Sequence, residues 1–171
     1  MQTLLIGLGG FGMNLINDIQ SEIETKIITA VVAESSSLKN SNAAHKIELN
    51  DELLKKVEVL TLDFKNIIIA NGLGGNSSKK LMQIVDMLEK NKKSMEVIVN
   101  KPFSWETEER NRLSESIIHK LIDKYVNIKI FGNDSVKDYF TENITMNEIF
   151  KLHHKDIGEY IIYKYLKSIE V

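Results

Sequence analysis

The sequence contains no cysteine, which excludes disulfide bridges, thiolate metal sites and cysteine nucleophiles together. This composition is typical of a cytoplasmic protein. The chain also has no large excess of positive or negative charge, because it contains 22 Lys and Arg residues and 24 Asp and Glu residues. A nearly balanced charge offers no basic surface to a phosphate backbone, so nucleic acid is not expected as a partner.

Long apolar runs are absent as well. No run approaches the roughly 18 residues of a membrane-spanning helix, so no membrane span is expected. The apolar N-terminus lasts only a few residues before a glycine-rich turn, which predicts a first strand rather than a signal peptide. With 171 residues, a single proline and 43% hydrophobic residues, the chain is expected to form one domain over residues 1–171.

Two glycine-rich turns stand out in this chain. The first covers Gly7–Gly12 and the second Gly72–Gly75, and each is placed where a short apolar strand gives way to a helix. Glycine allows backbone conformations that a Cβ forbids and lets N–H groups approach phosphate oxygens. Two such turns on one sheet therefore suggest a nucleotide site.

Apolar runs alternate with segments of helical period along most of the chain, which predicts an α/β fold with a mainly parallel sheet and helices on both faces. The first turn should then lie at the carboxyl end of a central strand. The predicted strands are Thr3–Ile6, Ile27–Val32, Asn66–Asn71, Met95–Asn100 and Asn127–Phe131, with a short segment at Lys46–Leu49. The predicted helices are Met13–Ile23, Ser77–Lys90 and Glu106–Lys124, with a polar loop at Ala33–Asn42.

Asp51–Phe64 is ambiguous, because its apolar residues fit helical spacing in part and strand-like alternation in part; we predict a short helix.

The last helix is predicted to start at Thr145, where Glu148 completes a capping box, and to run to the end of the chain. Its apolar residues cover more than one face. Either a partner covers the second face or one wide stripe packs on the sheet. The residues concerned are Met146, Ile149, Phe150, Ile157, Ile161, Tyr165 and Ile169, with Ile162 and Leu166 at the side.

The first turn alone matches the dinucleotide-binding fingerprint, with Gly7, Gly9 and Gly12 at the required spacing. Glu34 then lies where an acidic residue would hold a ribose. This leaves open an NAD(P)-dependent enzyme of the Rossmann type. A tight connection between a strand and a helix would need these glycines even if it bound no ligand.

The later segments resemble the GTPase domain of the tubulin/FtsZ family. After the two glycine turns come Val97–Glu106, with its Lys-Pro-Phe-x-aromatic-Glu run, and Ile128–Asp134, with Asn-Asp after a strand. The resemblance extends from Met1 into the last helix, and a dinucleotide dehydrogenase does not account for these later segments.

The resemblance implies a binding site for GDP or GTP, with or without Mg²⁺. It places Gly9, Gly10 and Gly12 at the nucleotide phosphates, with Gly74 and Gly75 facing them from the second turn. It implies that Glu106 and Arg110 lie beside the ribose and phosphates. Asn14 would contact the guanine and Phe150 would lie against it. No metal-ligating residues are predicted, because the adjacent His153 and His154 would point about 100° apart on a helix.

The chain also departs from the family pattern. The second turn continues as Asn76–Lys80, so a Cβ occurs at three positions where the family has glycine. The segment between Leu49 and Asn66 is too short for the family's γ-phosphate loop, and His154 stands where the family has Asp or Asn to read guanine. Phe11 is bulky for a phosphate turn.

The family's second domain and its acidic loop are not expected in this chain, whose sequence reaches the central helix of the family at Val171. No catalytic residue is therefore assigned, and self-sufficient GTP hydrolysis is not expected. The resemblance favours a regulatory or assembly role in a cytoskeletal or cell-division context. Its partner would be a second copy or a full-length FtsZ-like protein, contacted through the terminal helix. A scaffold that has lost its nucleotide is the other alternative.

Overall fold

The computed structural model describes residues 2–23 and 26–166. Six strands form one sheet in the order β3-β2-β1-β4-β5-β6, and every neighbouring pair is parallel. The strands are β1 Thr3–Leu8, β2 Ile27–Ala33, β3 His45–Glu48, β4 Asn66–Gly72, β5 Ser94–Lys101 and β6 Asn127–Gly132. The helices are α1 Gly9–Ile23, α2 Ser35–Leu38, α3 Leu53–Thr61, α4 Asn76–Lys90, α5 Glu108–Asp123 and α6 Met146–Tyr165. The predicted α/β class and the central position of β1 are confirmed.

The sheet separates two apolar layers. Helices α3, α4 and α5 pack on one face through residues such as Val57, Ile84 and Ile117. Helices α1 and α6 pack on the other face through residues such as Ile16 and Ile157. Because both faces are covered, the central strands are apolar without alternation, as in buried parallel sheets.

Several boundaries differ from the sequence-based prediction. Helix α1 begins at Gly9, directly after β1, so most of the first glycine turn is the first turn of the helix. The polar loop after β2 contains the one-turn helix α2, and a 3₁₀ helix at Asn133–Tyr139 was not predicted. Helix α3 confirms the short helix expected within Asp51–Phe64.

The register of the sheet brings the two glycine turns together. Leu8, the last residue of β1, pairs with Asn71 of β4, and Gly72 pairs with Asn100 of β5. The carboxyl ends of these three strands therefore lie side by side. Ligands of open α/β sheets bind at this edge.

Helix α6 crosses the sheet beside α1. Thr145 caps it, and the capping box with Glu148 is present as predicted. A Cβ at Gly158 would lie 2.7 Å from the Ile19 side chain, so the glycine lets the two helices approach closely. The inward residues Ile157 and Ile161 are fully buried.

The second apolar face of α6 is less exposed than the sequence suggested. Ile162, Tyr165 and Leu166 pack against the core layer shared with α1, so the wide stripe is largely covered by the sheet domain itself. Tyr165 donates its hydroxyl to Glu96 of β5, which makes it a core contact rather than a surface anchor. Ile169 lies outside the described residues.

Glu96 is a buried carboxylate that holds the end of α6. It accepts hydrogen bonds from the Tyr160 hydroxyl at 2.5 Å, from Lys164 Nζ at 2.7 Å and from Tyr165. Burial opposes ionisation, but these hydrogen bonds hold the pKa of the Glu96 carboxyl below its ordinary value. Burial and the bond to Glu96 raise the pKa of the Tyr165 hydroxyl.

Replacing Glu96 with glutamine should lower the free energy of unfolding by about 1–3 kcal/mol, because three donors lose an ionised acceptor. A carboxyl whose pKa is lower when folded contributes stability above its unfolded pKa of about 4.3 and loses it as pH falls through the folded value. The parent should therefore lose stability in acid more steeply than Glu96→Gln. Urea unfolding between pH 7 and pH 3 measures both effects. The exposed Glu142→Gln is the control, and equal pH dependence in all three proteins would contradict the prediction.

Candidate functional site

A cleft of about 560 Å³ opens at the carboxyl ends of β1, β4 and β5, between α1 and α6. This volume lies within the usual range for small-molecule sites. Its lining combines backbone from both glycine turns with polar and aromatic side chains. The lining residues are Gly10, Phe11, Asn14, Asn17, Asp18, Gly72, Leu73, Gly75, Ser77, Asn100, Pro102, Glu106, Arg110, Asn133, Asn147, Phe150, Lys151 and His154.

The structure brings most of the predicted site residues to this cleft. Six of the nine line it, namely Gly10, Asn14, Gly75, Glu106, Arg110 and Phe150. They come from four separate parts of the chain. The other three predicted residues, Gly9, Gly12 and Gly74, do not line it.

Gly12 is a packing glycine. A Cβ at this position would lie 2.6 Å from the backbone of Gly7 and 2.7 Å from the carbonyl oxygen of Ala70. Backbone atoms on β1 and β4 cannot move away as a flexible side chain can. Gly12 therefore lets α1 start close against the sheet.

Gly9 and Gly74 have backbone conformations that favour glycine, with φ of +73° and +91°. A Cβ on Gly9 would collide with the Ser77 side chain, and one on Gly74 would lie 3.0 Å from the Arg110 carbonyl oxygen. These two glycines thus shape the turns and bring neighbouring elements close.

Gly10 and Gly75 are different, because a Cβ at either position would meet nothing within 4 Å. Gly75 is also the N-cap of α4, and no side chain caps the helix there. The first N–H groups of a helix and its dipole attract anions. The two turns therefore leave open backbone where phosphates would fit, although the second turn carries Asn76–Lys80 in place of further glycines. Neither Lys79 nor Lys80 lines the cleft.

Asn71 ties the two turns to each other and was not predicted. Its side-chain Nδ2 donates to the Leu8 carbonyl oxygen at 2.9 Å and to Ser77 Oγ at 3.1 Å. It is fully buried at the end of the apolar strand β4. The sequence signal that could have pointed to Asn71 is its place at the end of an otherwise apolar strand, directly before a glycine-rich turn.

Glu106 and Arg110 form an ion pair at the opposite wall, with 2.9 Å between Oε2 and Nη1. The other Glu106 oxygen accepts the Phe103 N–H at 2.9 Å. Helix α5 starts only at Glu108, with Thr107 as its N-cap, so Glu106 lies in the preceding loop. This wall offers a carboxylate for hydroxyl groups and a guanidinium for negative charge.

The end of the cleft between α1 and α6 is partly aromatic. Phe150 lies edge-on to Phe103, with 6.2 Å between ring centroids. Phe11 lies edge-on to His154 at 5.5 Å and fills part of the wall, as its bulk suggested. His154 Nδ1 is 2.6 Å from Asp18 Oδ2. Phe150, Phe11 and this polar pair are suited to the flat face and polar edge of a heterocycle.

A buried network supports the floor of the cleft. Asn100 Oδ1 accepts a hydrogen bond from His153 Nε2 at 2.7 Å, and Asn100 Nδ2 donates to Asn133 Oδ1 at 2.7 Å. Burial, and then the neighbouring His154, lower the pKa of His153. His153 is therefore a neutral structural residue at neutral pH. Sequence reasoning assigned no role to Asn100.

The described residues contain no group of three or more His, Cys, Asp or Glu side chains arranged to hold a metal ion. Within the same part of the chain, no helix is both long and apolar enough to cross a membrane. Glu34, the ribose residue of the dinucleotide alternative, lies at the start of α2 and does not line the cleft.

No protein-family model matches the chain. Among curated proteins it is similar to the cell division protein FtsZ of Helicobacter pylori, at 22% identity over 86% of this chain and 44% of that protein. Among solved structures, an empty FtsZ dimer from M. jannaschii superposes with a TM-score of 0.79 at 16% identity, covering 94% of this chain and 53% of that one. The chain has the FtsZ fold.

Two CetZ structures have the same FtsZ fold. CetZ2 from Haloferax volcanii, a protofilament with bound GTPγS, matches with a TM-score of 0.78 at 15% identity, over 94% of this chain and 57% of that one. CetZ1 from the same organism, a GDP-bound monomer, gives 0.68 at 13% identity, over 93% and 58%. The resemblance seen in the sequence is thus confirmed at the level of the fold. The chain spans about half the length of these FtsZ and CetZ relatives.

Proposed function

We propose that this chain is a guanine-nucleotide-binding domain of the FtsZ type that acts in a cytoskeletal or cell-division context. One observation carries the proposal, namely that the cleft gathers backbone of both glycine turns, an acid–guanidinium pair and an aromatic ring. The related CetZ structures contain GTPγS and GDP. The FtsZ relative from Helicobacter pylori is named as a cell division protein.

Each part of a nucleotide has residues suited to hold it. The open backbone at Gly10 and Gly75, with Arg110, would hold the phosphates, and Glu106 would accept from the ribose hydroxyls. Phe150 would pack on the base and Asn14 would bond its edge. Gly9, Gly12 and Gly74 would act indirectly by keeping the turns in shape. Any Mg²⁺ would be bound mainly through the phosphates, as that ion usually is.

Trp105 provides an internal probe for this proposal. It is the only tryptophan of the chain, stacks on Phe103 at 4.1 Å between ring centroids, and directly precedes Glu106. GDP entering the cleft should change the Trp105 fluorescence in a saturable way, and Arg110→Ala should weaken that response. A response to NAD and none to GDP would favour a dinucleotide site instead.

We further propose that the domain is not a self-sufficient GTPase. No glycine occurs between Gly12 and Gly72, so the segment that leads from β3 through α3 to β4 has no glycine loop to face a γ-phosphate. The carboxylates of the cleft are engaged with protein partners, Glu106 with Arg110 and the Phe103 N–H and Asp18 with His154, so we assign none of them as a base for phosphoryl transfer.

Purified protein should therefore release phosphate from GTP far below the ~1 per second at the low end of typical enzyme turnover. Phosphate release at saturating GTP measures this, with the Glu106→Gln variant as a control for contaminating activity. Steady turnover in the parent that Glu106→Gln abolishes would show that the domain hydrolyses GTP by itself.

The remaining part of the proposal is a regulatory or assembly role, in which the terminal helix contacts a second copy or a full-length FtsZ-like protein. FtsZ and CetZ relatives occur as a dimer and a protofilament in their structures. Within the described residues, the exposed large apolar side chains of α6 are Met146, Leu152 and Tyr163, of which the last two are 37% and 73% exposed. Amphipathic side chains such as tyrosine are common in interfaces.

A Leu152→Glu, Tyr163→Glu double variant should therefore reduce self-association or co-sedimentation with an FtsZ polymer, because it places two charges in an apolar contact. Analytical ultracentrifugation and polymer pelleting measure these two outcomes. Tyr125→Glu is the control, since Tyr125 is 96% exposed but lies beyond α5. A parent protein that neither self-associates nor pellets with the polymer would remove this role.

A further inference from the structure

A second groove lies between the edge strand β3 and helix α3. Its volume is about 530 Å³, and it shares no lining residue with the cleft at the glycine turns. Its apolar lining comes from Ile47 of β3 and from Val59 and Leu60 of α3. Ile47 is buried, whereas Val59 is 59% exposed. The groove therefore offers an apolar surface that the side chain of a partner can fill.

The groove borders an open edge of the sheet. Among the described strands β3 pairs with β2 alone, and the Leu49 N–H that follows it donates to the Ala33 carbonyl oxygen at 2.9 Å. Backbone groups alternate in direction along a strand, so Ile47 bonds towards β2 while the N–H and C=O of Lys46 point outward. The Lys46 backbone thus offers a donor and an acceptor to an added strand.

The groove carries a net positive charge. Lys46, Lys55 and Lys56 line it together with one carboxylate, Glu52. Lys56 pairs with Glu52 at 2.9 Å, whereas Lys46 and Lys55 form no ion pair within the described part of the chain. Two cations are therefore left to meet an acidic partner.

This charge and shape favour a peptide over other occupants. A symmetric contact between two copies of the chain would bring the same net positive groove against itself, which like-charge repulsion opposes. A lipid surface would not use the outward backbone groups of Lys46. Lysine at a sheet edge also discourages pairing with an apolar or basic strand, and an acidic strand remains compatible with it.

We propose that the groove binds a short acidic peptide segment of another protein as an added strand beside β3. One residue of the segment bonds the outward N–H and C=O of Lys46, and an apolar side chain packs against Val59. Acidic side chains on either side of it meet Lys46 and Lys55. Strand addition of this kind takes its affinity from main-chain bonds and its specificity from the side-chain pocket. The groove is separate from the cleft, so the inference goes beyond the proposed function and does not depend on it.

Fluorescence anisotropy with a labelled peptide, Thr-Glu-Glu-Ile-Glu-Glu-Thr with both ends blocked, tests the inference on the full chain. The peptide should bind saturably. Serine in place of its isoleucine should weaken binding about tenfold or more, because burial of the apolar side chain is lost. A peptide with lysine in place of every glutamate should not bind. Equal affinity for the acidic and lysine peptides, or no saturable binding of the acidic one, would overturn the inference.

Val59→Glu should weaken binding of the acidic peptide at least about tenfold, because it places a carboxylate in the apolar lining. The matched control is Leu62→Glu. Leu62 is 64% exposed at the end of α3 and does not line the groove. Circular dichroism checks that both variants are folded. Parent-like affinity in a folded Val59→Glu protein would show that the peptide binds elsewhere and would overturn the inference.

A charge-swapped variant tests the role of the lysines. The Lys46→Glu, Lys55→Glu double variant should lose the acidic peptide and gain binding of the lysine peptide. The control is Lys65→Glu, Lys90→Glu, which changes the net charge equally at two exposed positions outside the groove. If the control reversed the peptide preference as strongly, the attraction would depend on overall charge and the inference would fail.

Amide hydrogen exchange tests the added strand directly. With the acidic peptide bound, the outward Lys46 N–H should exchange at least about tenfold more slowly, because it gains a main-chain acceptor. Unchanged exchange at Lys46 under saturating peptide would contradict strand addition.

Two other occupants are outcomes of parallel measurements. Sedimentation of the protein alone detects a dimer, and pelleting with phosphatidylserine vesicles detects membrane binding. A dimer or a vesicle complex that Val59→Glu disrupts, found in place of peptide binding, would assign the groove to that occupant and overturn the inference.

Discussion

Gly12→Ala should destabilise the protein by about 3 kcal/mol, one of the largest effects expected of a single methyl group here. The added Cβ would lie 2.6 Å from the backbone of Gly7 and 2.7 Å from the Ala70 carbonyl oxygen. Helix propensity alone would favour alanine by up to about 1 kcal/mol, so the sign of the change distinguishes the two effects. Urea unfolding followed by circular dichroism measures it.

Gly10→Ala is the matched control for this change. It lies in the same helical turn, but a Cβ there would meet nothing within 4 Å. We expect the free energy of unfolding to stay the same or to rise slightly. If Gly12→Ala were as stable as Gly10→Ala, this result would contradict the close packing of α1 against β1 and β4.

Gly10→Leu should abolish GDP binding while the protein remains folded, with a loss of affinity of at least about a hundredfold. Gly10 is exposed and lines the cleft, so a leucine side chain would occupy the space in front of the backbone N–H groups. Leucine is also a good helix former and costs the fold little at an open position. Calorimetry gives the affinity, and circular dichroism confirms that the fold is kept.

The control for this variant is Ser21→Leu, an exposed position on the same helix outside the cleft. It should bind GDP like the parent. Unchanged GDP affinity in Gly10→Leu would place the nucleotide elsewhere on the molecule.

The succession of the six strands and the four longest helices along the chain could be predicted from the sequence, because their apolar periodicities are local. The first strand was predicted at Thr3–Ile6, and Leu4, Leu5 and Ile6 are fully buried in the structure, as expected for a parallel strand covered on both faces. Helix α3 was ambiguous for a physical reason. Val57 is fully buried and Val59 is 59% exposed, a difference that depends on the layer of α4 and the sheet rather than on local spacing.

The distinction among the glycines could not be predicted. Gly10 and Gly12 belong to the same glycine-rich turn, yet one faces the cleft and the other packs against β4. The difference depends on Ala70, which is distant in the sequence. The same holds for polar pairs such as Asp18 with His154 and Glu96 with Tyr165, since no local pattern marks either partner.

The most direct test of the proposed function is calorimetric titration of the unmodified protein with GDP, GTP, ATP and NAD in parallel. The proposal predicts saturable binding of GDP and GTP at one site per chain, with ATP and NAD much weaker. Binding of NAD in place of GDP would indicate a dinucleotide site, and binding of none of the four would leave the fold as a scaffold without its nucleotide. Either result would contradict a guanine-nucleotide-binding domain.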